Sequence, residues 1–273
     1  MNMTSIPAFG VGTFRLKDQV VIDSVKNALD LGYRVIDTAQ IYGNEAQVGQ
    51  AIAESGVPRS ELFITTKAMP RTSAAEFLAD VQAGVERLRL DQVDLLLIHW
   101  PEQRAPLRGQ LDALCEARRR GLARHIGLSN FPPRYVDAAV AMADAPLVVN
   151  QVERHPYLDQ SALAATCARH GIALMAFCPL GRGALMDEPV VRDIAVAHGR
   201  SPAQVVLRWQ LSLPMAIVAP RSSQPGRIAD NFGATDFVLT ADELRRISAL
   251  ARPDGRVVRG PEGFDWDGAP LID

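Results

Sequence analysis

Asp37, Tyr42, Lys67 and His99 are residue types that together can deliver a proton to a carbonyl oxygen. A phenol alone is a poor acid at neutral pH, with a reference pKa of about 10. An ammonium beside it favours the phenolate, and a carboxylate paired to that ammonium fixes its position. Lys67 held by Asp37 is therefore expected to tune Tyr42 downward, so that Tyr42 protonates a carbonyl oxygen as hydride reaches the carbon. His99 would orient the carbonyl or share in its protonation. Such a site needs an external hydride, hence a nicotinamide cofactor. Each residue also has an ordinary reading: Asp37 as a turn residue, Lys67 as a solvated charge, His99 as a core histidine, Tyr42 as a surface aromatic. Their positions decide between these readings, because charges at the ends of buried strands are costly unless paired or used.

Short β-branched or apolar runs recur along the chain at Phe9–Thr13, Tyr33–Thr38, Leu62–Lys67, Val93–His99, His125–Ser129, Val148–Val152, Ala173–Cys178 and Ala216–Pro220. Val93–Ile98 is continuously apolar but for Asp94, the pattern of a parallel strand covered on both faces. Amphipathic helices lie between the runs. One is predicted from about Ser73 to Leu88, with Ser73 and Glu76 at capping-box spacing and Phe77, Val81, Val85 and Leu88 on one face. Ser201-Pro202 opens another, carrying Val205, Val206 and Trp209, and Thr240 with Glu243 opens a third. Alternation of strand and helix implies a parallel sheet with right-handed crossovers. Eight units in 273 residues predict closure into a single-domain (β/α)8 TIM barrel over 1–273, with a Gly/Pro-rich tail at about 252–273. An open dinucleotide-binding sheet would need G-x-G-x-x-G after the first strand, and Gly10 and Gly12 supply only its first half. In a barrel the C-terminal strand ends surround one cavity, and Asp37, Lys67, His99, Ser129-Asn130 and Gln151 all fall there.

A net charge of -2 offers no basic field for nucleic acid or an anionic membrane. No apolar stretch approaches the ~20 residues of a membrane span. Met1–Gly10 shows no secretory signal pattern, and Cys115, Cys167 and Cys178 are odd in number and widely spaced. Reduced thiols and a cytoplasmic location are expected. The five histidines show no metal-ligand spacing, so no metal is expected. A monomer is expected, since no helix face is conspicuously apolar beyond core needs.

Taken in order, the segments Gly10–Thr13, Ile36–Tyr42 with Gly43-Asn44-Glu45, Ile64–Lys67, Val93–Pro101, Ile126–Phe131 and Val149–Glu153 resemble the aldo-keto reductase family over nearly the whole chain. Within it the chain is most similar to the bacterial 2,5-diketo-D-gluconate reductases of B type. The resemblance implies an NADPH-dependent reductase with Asp37, Tyr42, Lys67 and His99 as its catalytic group. It implies Ser129, Asn130 and Gln151 on the nicotinamide carboxamide, and Phe177 stacked on the nicotinamide where most relatives carry tyrosine. Gly12 and Thr13 would also line the cofactor site, and Leu180 and Gly181 would follow the pyrophosphate. Arg221, Ser222 and Arg227 would read the 2′-phosphate, with Arg221 in place of the family's lysine, and Asp230 and Asn231 would lie near the adenine. Two arginines and a hydroxyl near a helix N-terminus suit a phosphate dianion.

Phe14, Tyr42, His99 and Trp100 are expected to line the substrate pocket. A short loop after the fourth strand, with helix from Leu107 onward, implies an open site suited to a keto-sugar acid such as 2,5-diketo-D-gluconate or a small dicarbonyl such as methylglyoxal. Phe264 and Trp266 either close over the mouth or pack outside the barrel. Two rival readings are a cofactor-binding regulatory subunit with little turnover, and a barrel lyase or aldolase using Lys67 as a Schiff-base amine.

Overall fold

The computed structural model describes residues 6–266, 271 and 272. Eight strands run in the order β1 Gly10–Gly12, β2 Val35–Asp37, β3 Phe63–Ala68, β4 Val93–Ile98, β5 Ala123–Ser129, β6 Leu147–Glu153, β7 Ala173–Phe177 and β8 Ala216–Val218. Each pairs in parallel with the next, and a bridge from Phe9 to Val218 brings the last strand back to the first. The result is the expected, nearly closed (β/α)8 barrel. Strands β1, β2 and β8 are shorter than expected, because their flanking residues turn into loops instead of continuing the ladder; β5 starts two residues earlier, at Ala123.

The helices form the outer ring: α1 Asp18–Asp30, α2 Glu45–Glu54, α3 Ala74–Arg87, α4 Leu107–Arg119, α5 Pro133–Met142, α6 Ser161–Arg169, α7 Pro189–His198, α8 Pro202–Leu211, α9 Pro225–Phe232 and α10 Ala241–Ser248. Complete capping boxes open α3 at Ser73 and Glu76, α8 at Ser201 and Gln204, and α10 at Thr240 and Glu243. Each satisfies helix-end N–H groups that would otherwise lack partners.

Side chains alternate along a strand, and this period positions the site. Ile36, Ile64, Leu96, Ile98, Ile126, Leu128 and Val218 face outward into the core under the helices. Val35, Phe63, Leu95, Leu97, Val149, Met175 and Ile217 form the separate core inside the barrel. One step of two residues further along the inward rows come Asp37, His99, Gln151 and Phe177. Thus the barrel floor is apolar and its upper rim is polar. Gly127 is required on this inner face, since a Cβ there would meet the Val149 carbonyl at 2.5 Å.

At the opposite end, Asp94 on β4 binds the Ile64 N–H at 2.8 Å and pairs with Arg59 and Arg124 at 2.6 and 3.2 Å. No helix among the described residues is long and apolar enough to cross a membrane. Met1–Ser5 and part of the tail (267–270 and 273) lie outside the described residues.

Candidate active site

Lys67 is completely buried at the end of β3, and its ammonium has three acceptors. Nζ donates to Asp37 Oδ2 at 2.8 Å, to the Thr38 carbonyl at 2.9 Å and to the Tyr42 hydroxyl oxygen at 3.3 Å. Burial alone would lower the Lys67 pKa, but Asp37 first and Tyr42 second hold it above the usual lysine value. Asp37 is fixed from its other side, since Gln151 Nε2 donates to Oδ1 at 2.7 Å.

Tyr42 ends a single 3-10 turn, Gln40–Tyr42, that leads from β2 into α2. Asn44 holds this turn: its Oδ1 accepts from the Thr38 hydroxyl at 3.0 Å, and its Nδ2 donates to the Thr13 and Leu16 carbonyls, both at 2.9 Å. Glu45 is tied below it to Thr66 and Arg87. Asn44 was part of a recognised segment with no role attached to it. A buried amide at a helix start is the signal that could have marked it.

The expected downward tuning of Tyr42 is corrected by the structure. Burial is the largest influence and raises the phenol above its ordinary value, Lys67 pulls it down, and Asp37 pushes it up again. The net direction is upward, so the hydroxyl carries its proton throughout the neutral range. Lys67 still favours the phenolate, and its effect is felt as charge develops on the oxygen.

His99 lies against Tyr42 edge-on, with ring centroids 5.7 Å apart. It is 7% exposed, and burial, then Lys67, lowers its pKa to about 3. It is therefore neutral at pH 7 and can orient a carbonyl as a hydrogen-bond donor, whereas an imidazolium acid is not available there. Its Nδ1 is buried with no hydrogen-bond partner among the described residues.

The expected cofactor residues collect along the same rim. Ser129 and Asn130 are buried at the end of β5, where Asn130 adopts φ 64° and its Nδ2 donates to the His99 carbonyl at 2.9 Å and to Ser129 Oγ at 3.1 Å. Asn130 Oδ1 is left buried without a partner among the described residues. An orphan acceptor beside a serine hydroxyl fits an incoming primary amide. Gln151 has given its amide nitrogen to Asp37 and Met175, which leaves only its carbonyl oxygen for a ligand.

Phe177 is half-buried at the end of β7, and Leu180 leads into a turn in which Gly181 has φ 54°. Thr13 is buried and bonds the Asp37 carbonyl through both its N–H and its hydroxyl, at 3.0 and 3.2 Å. Gly12 donates to the Pro220 carbonyl at 3.0 Å, and a Cβ there would lie 3.0 Å from the Ala219 carbonyl.

Past β8, Arg221 Nε reaches the Phe14 carbonyl at 2.9 Å, joining the two loops that flank the barrel seam. Ser222 Oγ accepts the Gln224 N–H at 3.1 Å just before α9, from which Arg227 projects exposed. Asn231 is buried, and one oxygen of Asp230 is engaged by the Ser201 hydroxyl at 2.7 Å.

Three of the four expected pocket residues, Phe14, Tyr42 and His99, are brought into contact. Phe14 packs on Tyr42 at 5.0 Å, and Trp100 follows His99. The two options for the tail aromatics are decided: Phe264 and Trp266 pack edge-on against Trp100, with ring centroids at 5.0 and 5.5 Å, beside the mouth. The loop after β4 is short, as expected, with α4 starting at Leu107. Sequence reasoning missed Glu153, at the end of β6, which is fully buried and bound to the tail backbone. A carboxylate closing a buried strand was the signal, the same one that singled out Asp37. A cavity of about 560 Å³ lined by Ile52, Val57, Arg59, Leu88 and Arg124 lies at the opposite barrel end and touches none of these residues. No group of metal-ligating side chains occurs among the described residues.

With this geometry in view, the similarities to known proteins have a structural meaning. The sequence profile of the Aldo/keto reductase family matches residues 8–252. Methylglyoxal reductase DkgB of Escherichia coli O157:H7 is 43% identical over 269 residues, covering 96% of this chain and 100% of that protein. An aldo-keto reductase of Mycolicibacterium vanbaalenii is 43% identical over 263 residues, 94% of each chain. Among solved structures, a crystal structure assigned to a 2,5-diketo-D-gluconic acid reductase B superposes with a TM-score of 0.93 at 42% identity, over 100% of this chain and 95% of that one. The aldose reductase of Schistosoma japonicum superposes at 0.85 with 30% identity, over 92% of this chain and 91% of that one.

Proposed function

The chain belongs to the aldo/keto reductase family, and from that membership we propose that it is an NADPH-dependent reductase of small dicarbonyls such as methylglyoxal, or of keto-sugar acids such as 2,5-diketo-D-gluconate. The observation that carries this reading is the buried relay Asp37–Lys67–Tyr42, with contacts of 2.8 and 3.3 Å, set beside a neutral His99. The substrate class follows the names of the similar reductases and the short loop after β4, which leaves the mouth open enough for a hydrated polar substrate.

The cofactor would supply hydride to the carbonyl carbon. Ser129, Asn130 and the Gln151 carbonyl oxygen would hold its carboxamide, and Phe177 would stack on its ring. Gly12, Thr13, Leu180 and Gly181 would line its path, with Asp230 and Asn231 toward the adenine. Arg221, Ser222 and Arg227 would bind the 2′-phosphate and so favour NADPH.

The chain's own part is proton delivery. Tyr42 gives its hydroxyl proton to the carbonyl oxygen, and the negative charge left on its oxygen falls against the Lys67 ammonium. Asp37 keeps that ammonium charged and in place. His99 donates a hydrogen bond to the same carbonyl oxygen and orients it. Phe14 and Trp100 flank the substrate and exclude water.

Steady-state oxidation of NADPH with methylglyoxal, 2,5-diketo-D-gluconate, a nitrobenzaldehyde and glucose, with NADH in parallel, tests the reading. Turnover of the dicarbonyl or keto-acid with NADPH, and much slower turnover with NADH, is expected. Tight NADPH binding with no turnover on any of the four would instead favour a regulatory subunit of the same fold.

A further inference from the structure

Glu153 follows Gln151 by one step of the inward-facing alternation and is completely buried. Its carboxylate is held by two residues 104 and 105 positions away in sequence. Oε1 accepts the Val257 N–H at 2.7 Å, and Oε2 accepts the Val258 N–H at 2.9 Å. Oε1 also lies 2.9 Å from His155 Nε2, and Arg256 Nη1 stands 3.9 Å from Oε2.

From Val258 the chain continues along the loop that follows β4. Gly260, with φ +86°, passes so close to Trp100 that a Cβ would meet the indole at 2.9 Å. Phe264 and Trp266 then pack on the same indole, and Arg256 lies 3.6 Å over the Trp266 ring. Gln103 closes the far end by bonding both backbone groups of Asp265, each at 2.9 Å. The segment 256–266 is thus the wall of the mouth beside Trp100, and Glu153 is its attachment to the barrel.

We propose that Glu153 is a positioning residue: its carboxylate docks segment 256–266 against Trp100 and thereby sets the affinity for the carbonyl substrate, which it does not touch. The inference rests on the carbonyl-reductase reading of the mouth. Two adjacent N–H groups need two acceptors, and only a carboxylate presents them in this space. An amide of the same shape would turn a donor toward one of the two N–H groups. Conversely, undocking the tail strips the buried carboxylate of two charge-assisted bonds, so the docked state is strongly favoured. A purely structural carboxylate would stabilise the barrel as a whole, whereas this one joins the barrel to a segment outside its hydrogen-bonded ladder.

The test compares wild type, Glu153→Gln and Val257→Pro by limited trypsin digestion and by steady-state kinetics with methylglyoxal and NADPH. Arg259, followed by Gly260, supplies a trypsin site within the segment, and Val257→Pro removes one N–H from the tail side while leaving β6 and that site intact. Both variants are expected to be cut after Arg259 about ten-fold faster than wild type, as loss of one such bond shifts a local opening equilibrium. Both should also show KM for methylglyoxal raised about ten-fold, with kcat and NADPH affinity within about two-fold, the pattern of lost substrate binding without lost chemistry. Wild-type cleavage rates in both variants would overturn the docking role. A raised KM with the tail still protected, or a lowered kcat at unchanged KM, would overturn the positioning role. If the wild type reduces no carbonyl compound, the reductase reading fails by itself, and the digestion still decides whether Glu153 docks the tail.

Discussion

Gln151 and Asp37, 114 residues apart in sequence, meet across the barrel mouth, with Gln151 Nε2 donating to Asp37 Oδ1 at 2.7 Å. Because Lys67 occupies Oδ2, both oxygens of the carboxylate are fixed, and the ammonium is aimed at Tyr42. Gln151→Glu would set a second carboxyl against Asp37 in a buried site. One of the two would then hold a proton at a pKa above its unfolded value. The folded state would bind more protons than the unfolded chain, so the variant's stability should fall between pH 5 and pH 8 relative to wild type. Denaturant unfolding at the two pH values measures this. An unchanged difference between variant and wild type would show that the side chains at 151 and 37 are not in contact.

His99 makes the opposite prediction. Its folded pKa is lowered to about 3, so the unfolded chain takes up a proton near pH 6.5 while the folded protein does not. Stability from this group is full above pH 6.5 and is lost as pH falls toward 3. His99→Gln should flatten the decline, by about 2 kcal/mol at pH 5 relative to pH 8. In wild type, kcat/KM for reduction should show no limb near pH 6.5, and any fall should come only above the ordinary tyrosine range, since burial holds Tyr42 protonated beyond it. A limb near 6.5 that disappears in His99→Gln would mean that the imidazolium is the acid.

Asp94 tests the floor of the barrel separately from its chemistry. It is 3% exposed and receives Arg59, Arg124 and the Ile64 N–H. Asp94→Ala should lower the free energy of unfolding by about 3 kcal/mol, since it leaves charges and a buried N–H unpaired. The kcat of the folded variant should stay close to wild type. A large loss of kcat in protein that remains folded would show that the two barrel ends are coupled.

Arg227 is exposed at the start of α9, so its effect should appear in cofactor choice instead of stability. Arg227→Ala is expected to raise KM for NADPH about ten-fold, by removing a charge-assisted contact to the 2′-phosphate. KM for NADH should hardly move. Equal weakening of both cofactors would contradict this role.

The sequence reveals the barrel because buried parallel strands read as apolar runs and helix starts carry their caps. Val93–Ile98, the boxes at Ser73 and Thr240 and the helix start at Ser201-Pro202 needed no tertiary information. The candidate catalytic residues could be singled out for the same reason: Asp37, Lys67 and His99 interrupt apolar patterns at strand ends. What escaped was mutual. Gln151 bonding Asp37, and Glu153 bonding the backbone of Val257 and Val258, depend on closure bringing distant segments together. The direction of the Tyr42 pKa escaped as well, because it depends on how much water the ring loses, and burial outweighs the visible ammonium. The tail aromatics could be placed only once Gly260 was seen to cross Trp100.

The central claim is that Tyr42 is the proton donor in an NADPH-linked carbonyl reduction. The most direct test measures methylglyoxal-dependent NADPH oxidation and NADPH binding by fluorescence in wild type and Tyr42→Phe. The claim predicts wild-type turnover, a loss of about 10²–10⁴-fold in kcat for the variant, and nearly equal NADPH affinity in both. Turnover by Tyr42→Phe within a few-fold of wild type would contradict it, placing the proton donor elsewhere in the mouth.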